Sequence, residues 1–234
     1  MMKKFLAIAL TLMTVVCCFV ACGNTGDDIH KKSEGVMDYA AYAAANVDDK
    51  VVIEAFVQAH QSWWDNKITV YAQDKDGAYF MYEMACSEAD AAKLTPGTKI
   101  KVTGYKTEWR GEVEIVDATF EIMEGTWLAE PTDVTALLGT DDLIKHQNKL
   151  ASFKGMTVVS VAYKNETPGD DIYVTLSKDG AEYDFCVEYY LTNDKTDVYK
   201  AVEALKAGDV IDVEGFLYWY NGVNTHITAV SAAK

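Results

Sequence analysis

The chain has 234 residues, half of them hydrophobic, with 36 Asp and Glu against 21 Lys and Arg, for a formal charge of −15. That length accommodates two small domains with packed cores. The charge argues against a partner held through its phosphate backbone, because such binding relies on Lys and Arg displacing counterions. Nucleic acid is therefore expected to be an unlikely partner. Five cysteines with no CxxC and no zinc-spaced Cys/His cluster exclude a zinc site and a disulfide-dense scaffold.

Residues 1–21 carry Lys3 and Lys4 followed by an apolar run from Phe5 to Ala21, the pattern of an export signal. The next stretch, Phe19-Val20-Ala21-Cys22, resembles a bacterial lipobox, with Phe where Leu is usual. The resemblance implies cleavage before Cys22 and a diacylglycerol on its sulfur, which anchors an exported protein to the outer face of a bacterial membrane. A transmembrane anchor is the alternative reading. The run is at the short end for spanning a bilayer, and the Asp27-Asp28 pair after it is not a stop-transfer cluster. Loss of the two signal lysines takes the charge to −17. Residues 22–35 are polar with three glycines and read as the lipidated Cys22 and a flexible tether. Cys86 and Cys186 then remain; they read as small buried hydrophobes, with a disulfide chemically open in an exported chain.

The alanine-rich segment Val36–Asn46 is predicted to be a lead-in helix. Alternating strands follow at Val51–His60, Lys67–Gln73, Ala78–Met84, Lys99–Lys106 and Glu112–Ile122. Between the third and fourth lies a short helix over Ser87–Leu94, with Ser87 and Asp90 as a capping pair and Pro96-Gly97 as its stop. Glu130-Pro131 breaks the chain, and Thr132–Leu138 and Asp141–Gln147 read as short helices. The design then repeats. At a constant offset of 111, Leu94, Gly97, Ile100, Val102, Gly104, Tyr105, Gly111 and Ala118 meet Leu205, Gly208, Ile211, Val213, Gly215, Phe216, Gly222 and Ala229. The helix of the second copy is expected over Asp194–Lys206. Asn221-Gly222 is a strong two-residue hairpin signal, and Arg110-Gly111 is its weaker counterpart.

Strand–strand–strand–helix–strand–strand is the order of an OB-fold. The fold class is accordingly mainly β with short helices, built as two tandem OB-fold-like five-stranded barrels. The first spans residues 36–130 and the second 131–234, each with a lead-in helix. A pair of other small barrels or sandwiches is the alternative. Gly104 and Gly215, inside the fourth strands, are expected to let those strands bend. With its lipobox, strand order and glycines, the chain resembles the tandem OB-fold lipoproteins of bacterial envelopes, a group largely without assigned activity.

Aromatic residues are the best candidates for a site. Trp63 and Trp64 end the first strand, Trp109 flanks the hairpin between strands four and five, and Tyr218, Trp219 and Tyr220 occupy the same hairpin of the second copy. OB-folds bind ligands with these loops and the strand face between them, and flat rings stack on sugars, bases or aromatic peptide side chains. Adjacent strand residues point to opposite faces, so one of Trp63 and Trp64 is expected to pack inward if the strand continues through them. Structural packing and ligand contact both account for such residues. His30, His60, His146 and His226 share no metal spacing, and no GxSxG, GxGxxG or P-loop occurs. No cofactor, no metal and no catalytic centre are expected. The function expected is a non-enzymatic binding or adaptor module whose OB-fold loops take an extracellular carbohydrate or peptide. The alternatives are a structural spacer or assembly subunit of the envelope, and single-stranded nucleic-acid binding.

Overall fold

The computed structural model describes residues 28–233. The export signal and Cys22 lie outside the described residues. Asp28–Ser33 lies along the first barrel. There Lys32 pairs with Asp74 at 2.5 Å and donates to the Glu54 carbonyl, while His30 meets Phe56 and Trp127 edge-on. Thus the stretch expected to be a tether up to residue 35 is fixed to the barrel from His30.

Helix α1 (Tyr39–Ala44) is capped by Asp38, whose carboxylate accepts from the Ala41 N–H at 2.7 Å. Strands β1 (Lys50–His60), β2 (Lys67–Gln73) and β3 (Ala78–Ala85) lead to α2 (Glu88–Ala91), then β4 (Thr98–Trp109) and β5 (Glu112–Thr126). They pair in the order β1-β2-β3-β5-β4, and β4 closes on β1, so the sheet is a closed five-stranded barrel of OB topology. Its core holds Ile53, Val57, Val70, Tyr79, Met81, Leu94, Ile100, Val102 and Ile115. Helix α2 is shorter than predicted. Ser87 caps it through the Asp90 N–H as expected, but Ala92 is already its C-cap.

The segment between the two copies departs from the prediction. Thr132–Asp133 forms β6, paired in parallel with β7 (Leu150–Tyr163), and Thr135–Leu137 and Leu143–His146 are 3₁₀ turns rather than α-helices. The Asp133 carboxylate accepts from both the Thr135 N–H and hydroxyl, a turn that competes with a helix. Neither segment has a side-chain cap to offset the cost of nucleation.

Strands β8 (Ile172–Lys178) and β9 (Ala181–Val187), helix α3 (Asp197–Glu203), and strands β10 (Val210–Phe216) and β11 (Asn224–Ala232) complete the chain. Their sheet runs β10-β11-β9-β8-β7-β6, with a further β10–β7 pairing that makes it ring-like. The two copies share a local device at the aligned glycines. Gly104 and Gly215 each sit where the register slips by one residue against the next strand. A Cβ on Gly104 would stand 2.8 Å from the Val116 carbonyl oxygen, and one on Gly215 would stand 2.3 Å from that of His226. Close backbone approach at a bulge therefore demands glycine here, which refines the expected role of bending the strand.

Candidate functional site

The two halves meet over an aromatic seam. Tyr71 of β2 stacks on Phe216 of β10 (4.5 Å between centroids, 19° between planes), and Phe80 of β3 packs edge-on against Tyr218 at 5.3 Å. Such pairs contribute roughly 0.5–1.5 kcal/mol each beyond the area they bury. Polar groups close the rest. The Trp219 N–H donates to Glu112 Oε2 at 2.8 Å, Gln147 Nε2 to the Gly111 carbonyl at 2.7 Å, Leu150 N–H to Gln73 Oε1 at 2.9 Å, and Ser62 N–H to the Tyr190 carbonyl at 2.8 Å.

Above this seam opens a cleft of about 710 Å³ lined from both halves. The first barrel contributes Gln61, Ser62 and Trp64 from its β1–β2 loop and Lys67, Thr69, Phe80, Tyr82 and Glu83 from β2 and β3. That is the loop and strand face with which OB-folds bind oligonucleotides and oligosaccharides. The second half contributes Tyr173, Glu188 and Tyr190 near β8 and β9, and Tyr218, Tyr220 and His226 around the β10–β11 hairpin. Trp64 is 72% exposed and Tyr190 60%, so wide ring surfaces face the solvent-filled space.

The cleft holds two ion pairs and one further carboxyl, that of Glu188. Lys67 binds Glu83 at 2.7 Å and Lys164 binds Asp171 at 2.8 Å. Burial, reinforced by the charge of Asp171, pushes the Glu188 carboxyl up to about 7. At the floor, burial lowers His226 to about 3, which keeps it neutral. The Tyr71 hydroxyl accepts from Gln61 Nε2 at 3.2 Å and shares a hydrogen bond with His226 Nδ1 at 2.6 Å. Tyr218 stacks on the other side of this imidazole at 4.3 Å.

The residues singled out by sequence fall in different places. Trp64, Tyr218 and Tyr220 line the cleft. Trp63 packs against the core of the first barrel and donates its indole N–H to the Cys86 carbonyl at 2.8 Å. Trp219 packs on the second core, against Gly111. Trp109 is 55% exposed at the β4–β5 tip and is not part of the cleft lining. Trp63, Trp64 and Trp109 therefore do not share one site. Tyr82, Tyr173 and Tyr190 were not foreseen. The Tyr189-Tyr190 pair just after β9, in the position that Cys86 and Ser87 hold in the first copy, was the available signal. Cys86 and Cys186 are both buried and unbonded. Among the described residues, no group of three or more His, Cys, Asp or Glu is arranged to hold a metal, and no helix is long and apolar enough to cross a membrane.

No family model and no curated protein matches this chain. Solved structures do. A murine DNA-binding protein bound to double-stranded DNA is 10% identical, with 78% of this chain and 96% of that one covered at a TM-score of 0.37. The HINa domain of Ifi202 in complex with double-stranded DNA is 11% identical, with 80% and 100% covered at 0.36. A replication protein A heterotrimer bound to single-stranded DNA is 11% identical, with 82% and 51% covered at 0.35. These similarities are too distant to assign a ligand. The expectation that nucleic acid is an unlikely partner is corrected to this extent: the solved structures similar to this chain include proteins bound to double-stranded and to single-stranded DNA.

Proposed function

We propose that the chain is a non-enzymatic binding module whose cleft takes a single-stranded nucleic acid, its bases stacking on Trp64, Tyr82, Tyr190 and Tyr220. The observation that carries this reading is the placement of exposed rings on the β1–β2 loop and β2–β3 face of a closed OB barrel, with a second set facing them across the cleft. Stacking on aromatic side chains tolerates any base, and each stacked base is worth about 1–3 kcal/mol. A carbohydrate is the second reading, because both cleft lysines are already paired with carboxylates and a neutral ring meets no charge penalty there. We further propose that lipid on Cys22 holds the module at the outer face of a bacterial membrane.

Fluorescence anisotropy of a labelled dT oligonucleotide at low salt tests the ligand. Trp64→Ala is expected to weaken binding by roughly 5- to 150-fold, the equivalent of one lost stack, with an unchanged unfolding midpoint. Saturable binding of neutral oligosaccharides with no binding of the oligonucleotide would favour the second reading.

A further inference from the structure

Arg110 is the sole arginine in the chain. It sits at the tip of the β4–β5 hairpin with φ at 56°, followed by Gly111 at 90°, the left-handed pair of a tight two-residue turn. Its guanidinium carbon lies 5.6 Å from the Trp109 ring centroid and 5.8 Å from that of Tyr220, so the exposed cation rests between two aromatic faces contributed by different halves of the molecule. Among the described residues, no carboxylate lies within 4.0 Å of it, in contrast to both cleft lysines.

The tip that carries Arg110 is held against the second hairpin. The Asn221 N–H donates to the Arg110 carbonyl at 2.7 Å, and the Trp219 N–H to Glu112 at 2.8 Å. A Cβ on Gly111 would come within 2.8 Å of Trp219, so the two tips touch with no room between them. Glu108 and Glu112 are equally near along the chain: Glu108 is exposed before the turn, and burial raises the Glu112 carboxyl well above the usual range, which favours its neutral form. Tyr220 faces both ways: it lines the cleft and flanks Arg110.

We infer that Arg110 is an anion subsite at the exit of the cleft, where it takes a phosphodiester group of the strand whose bases stack inside. The inference rests on the nucleic-acid reading above. A guanidinium held between rings keeps its planar fork of donors oriented for phosphate oxygens, which a lysine does not reproduce. Tyr220 then links the ring track of the cleft to the charged subsite.

The test is the anisotropy titration of the full chain with a dT oligonucleotide at several salt concentrations. Each phosphate neutralised on a single strand contributes about 0.7 to the slope of log K against log salt. Arg110→Ala is expected to reduce the slope by about that amount, and Arg110→Lys to keep the slope while binding more weakly than wild type. Wild-type slope and affinity in Arg110→Ala, with binding still sensitive to Trp64→Ala, would overturn the subsite and leave the cleft reading intact. Absence of any oligonucleotide binding to the wild type would overturn both.

Discussion

Glu112 is the most informative residue to perturb, because it joins the two halves through a buried acid. It is fully buried, and its Oε2 accepts from the Trp219 N–H at 2.8 Å and Gln147 Nε2 at 3.1 Å, while Oε1 has no partner. Burial raises its carboxyl well above the usual range. The folded state therefore keeps a proton that the unfolded chain releases near pH 4.5. The stability this contributes is fully present below that pH and is lost as pH rises through the folded value. One such group changes stability by at most about 1.4 kcal/mol per pH unit. Glu112→Gln makes the neutral form permanent. The glutamine oxygen can keep the bonds to Trp219 and Gln147, and its amide faces Asn148, whose Oδ1 also lacks a partner. Urea unfolding of both proteins at pH 5, 6 and 7 should show nearly equal stability at pH 5. The variant should gain on the wild type by about 1 kcal/mol or more by pH 7. Glu114 and Glu188, both pushed up to about 7 by burial, slope the same way in both proteins and leave the difference to Glu112. Parallel curves would show that Glu112 is ionised in the fold and would refute the reasoning.

Tyr71→Phe removes a fully buried hydroxyl and leaves Gln61 and His226 without it, at an expected cost of about 1–3 kcal/mol; denaturant unfolding with an unchanged m-value checks it. Cys22→Ser is expected to release the protein from the membrane fraction and abolish incorporation of labelled fatty acid. Retention on the membrane without the label would instead support a transmembrane anchor.

The barrel was legible because its signals are local. Strand alternation, the capping pair at Ser87, the hairpin dipeptides and the aligned glycines each act within a few residues. Short segments were less legible. Thr132–Leu138 has helical residues, but the Asp133 turn and the pairing with β7 prevail over so weak a propensity. The cleft was legible only in part, because it depends on how the two halves meet. Tyr105 and Phe216 align in the repeat, yet Tyr105 is 45% exposed and Phe216 is buried in the seam. Nothing in the alternation of a strand tells which copy's outer face another domain covers. The same holds for Phe80 and Tyr71, and for Tyr190, which gains its meaning only from the barrel opposite. Net charge is silent for a related reason: it averages over a surface on which, among the described residues, no carboxylate lies within 4.0 Å of the Arg110 guanidinium.

Photo-cross-linking with a bromodeoxyuridine oligonucleotide, followed by peptide mapping, tests the central claim most directly, since the reagent bonds to the rings on which a base stacks. Adducts on Trp64, Tyr82, Tyr190 or Tyr220 are the expected result. Adducts confined to residues outside the cleft, or none at saturating oligonucleotide, would contradict it.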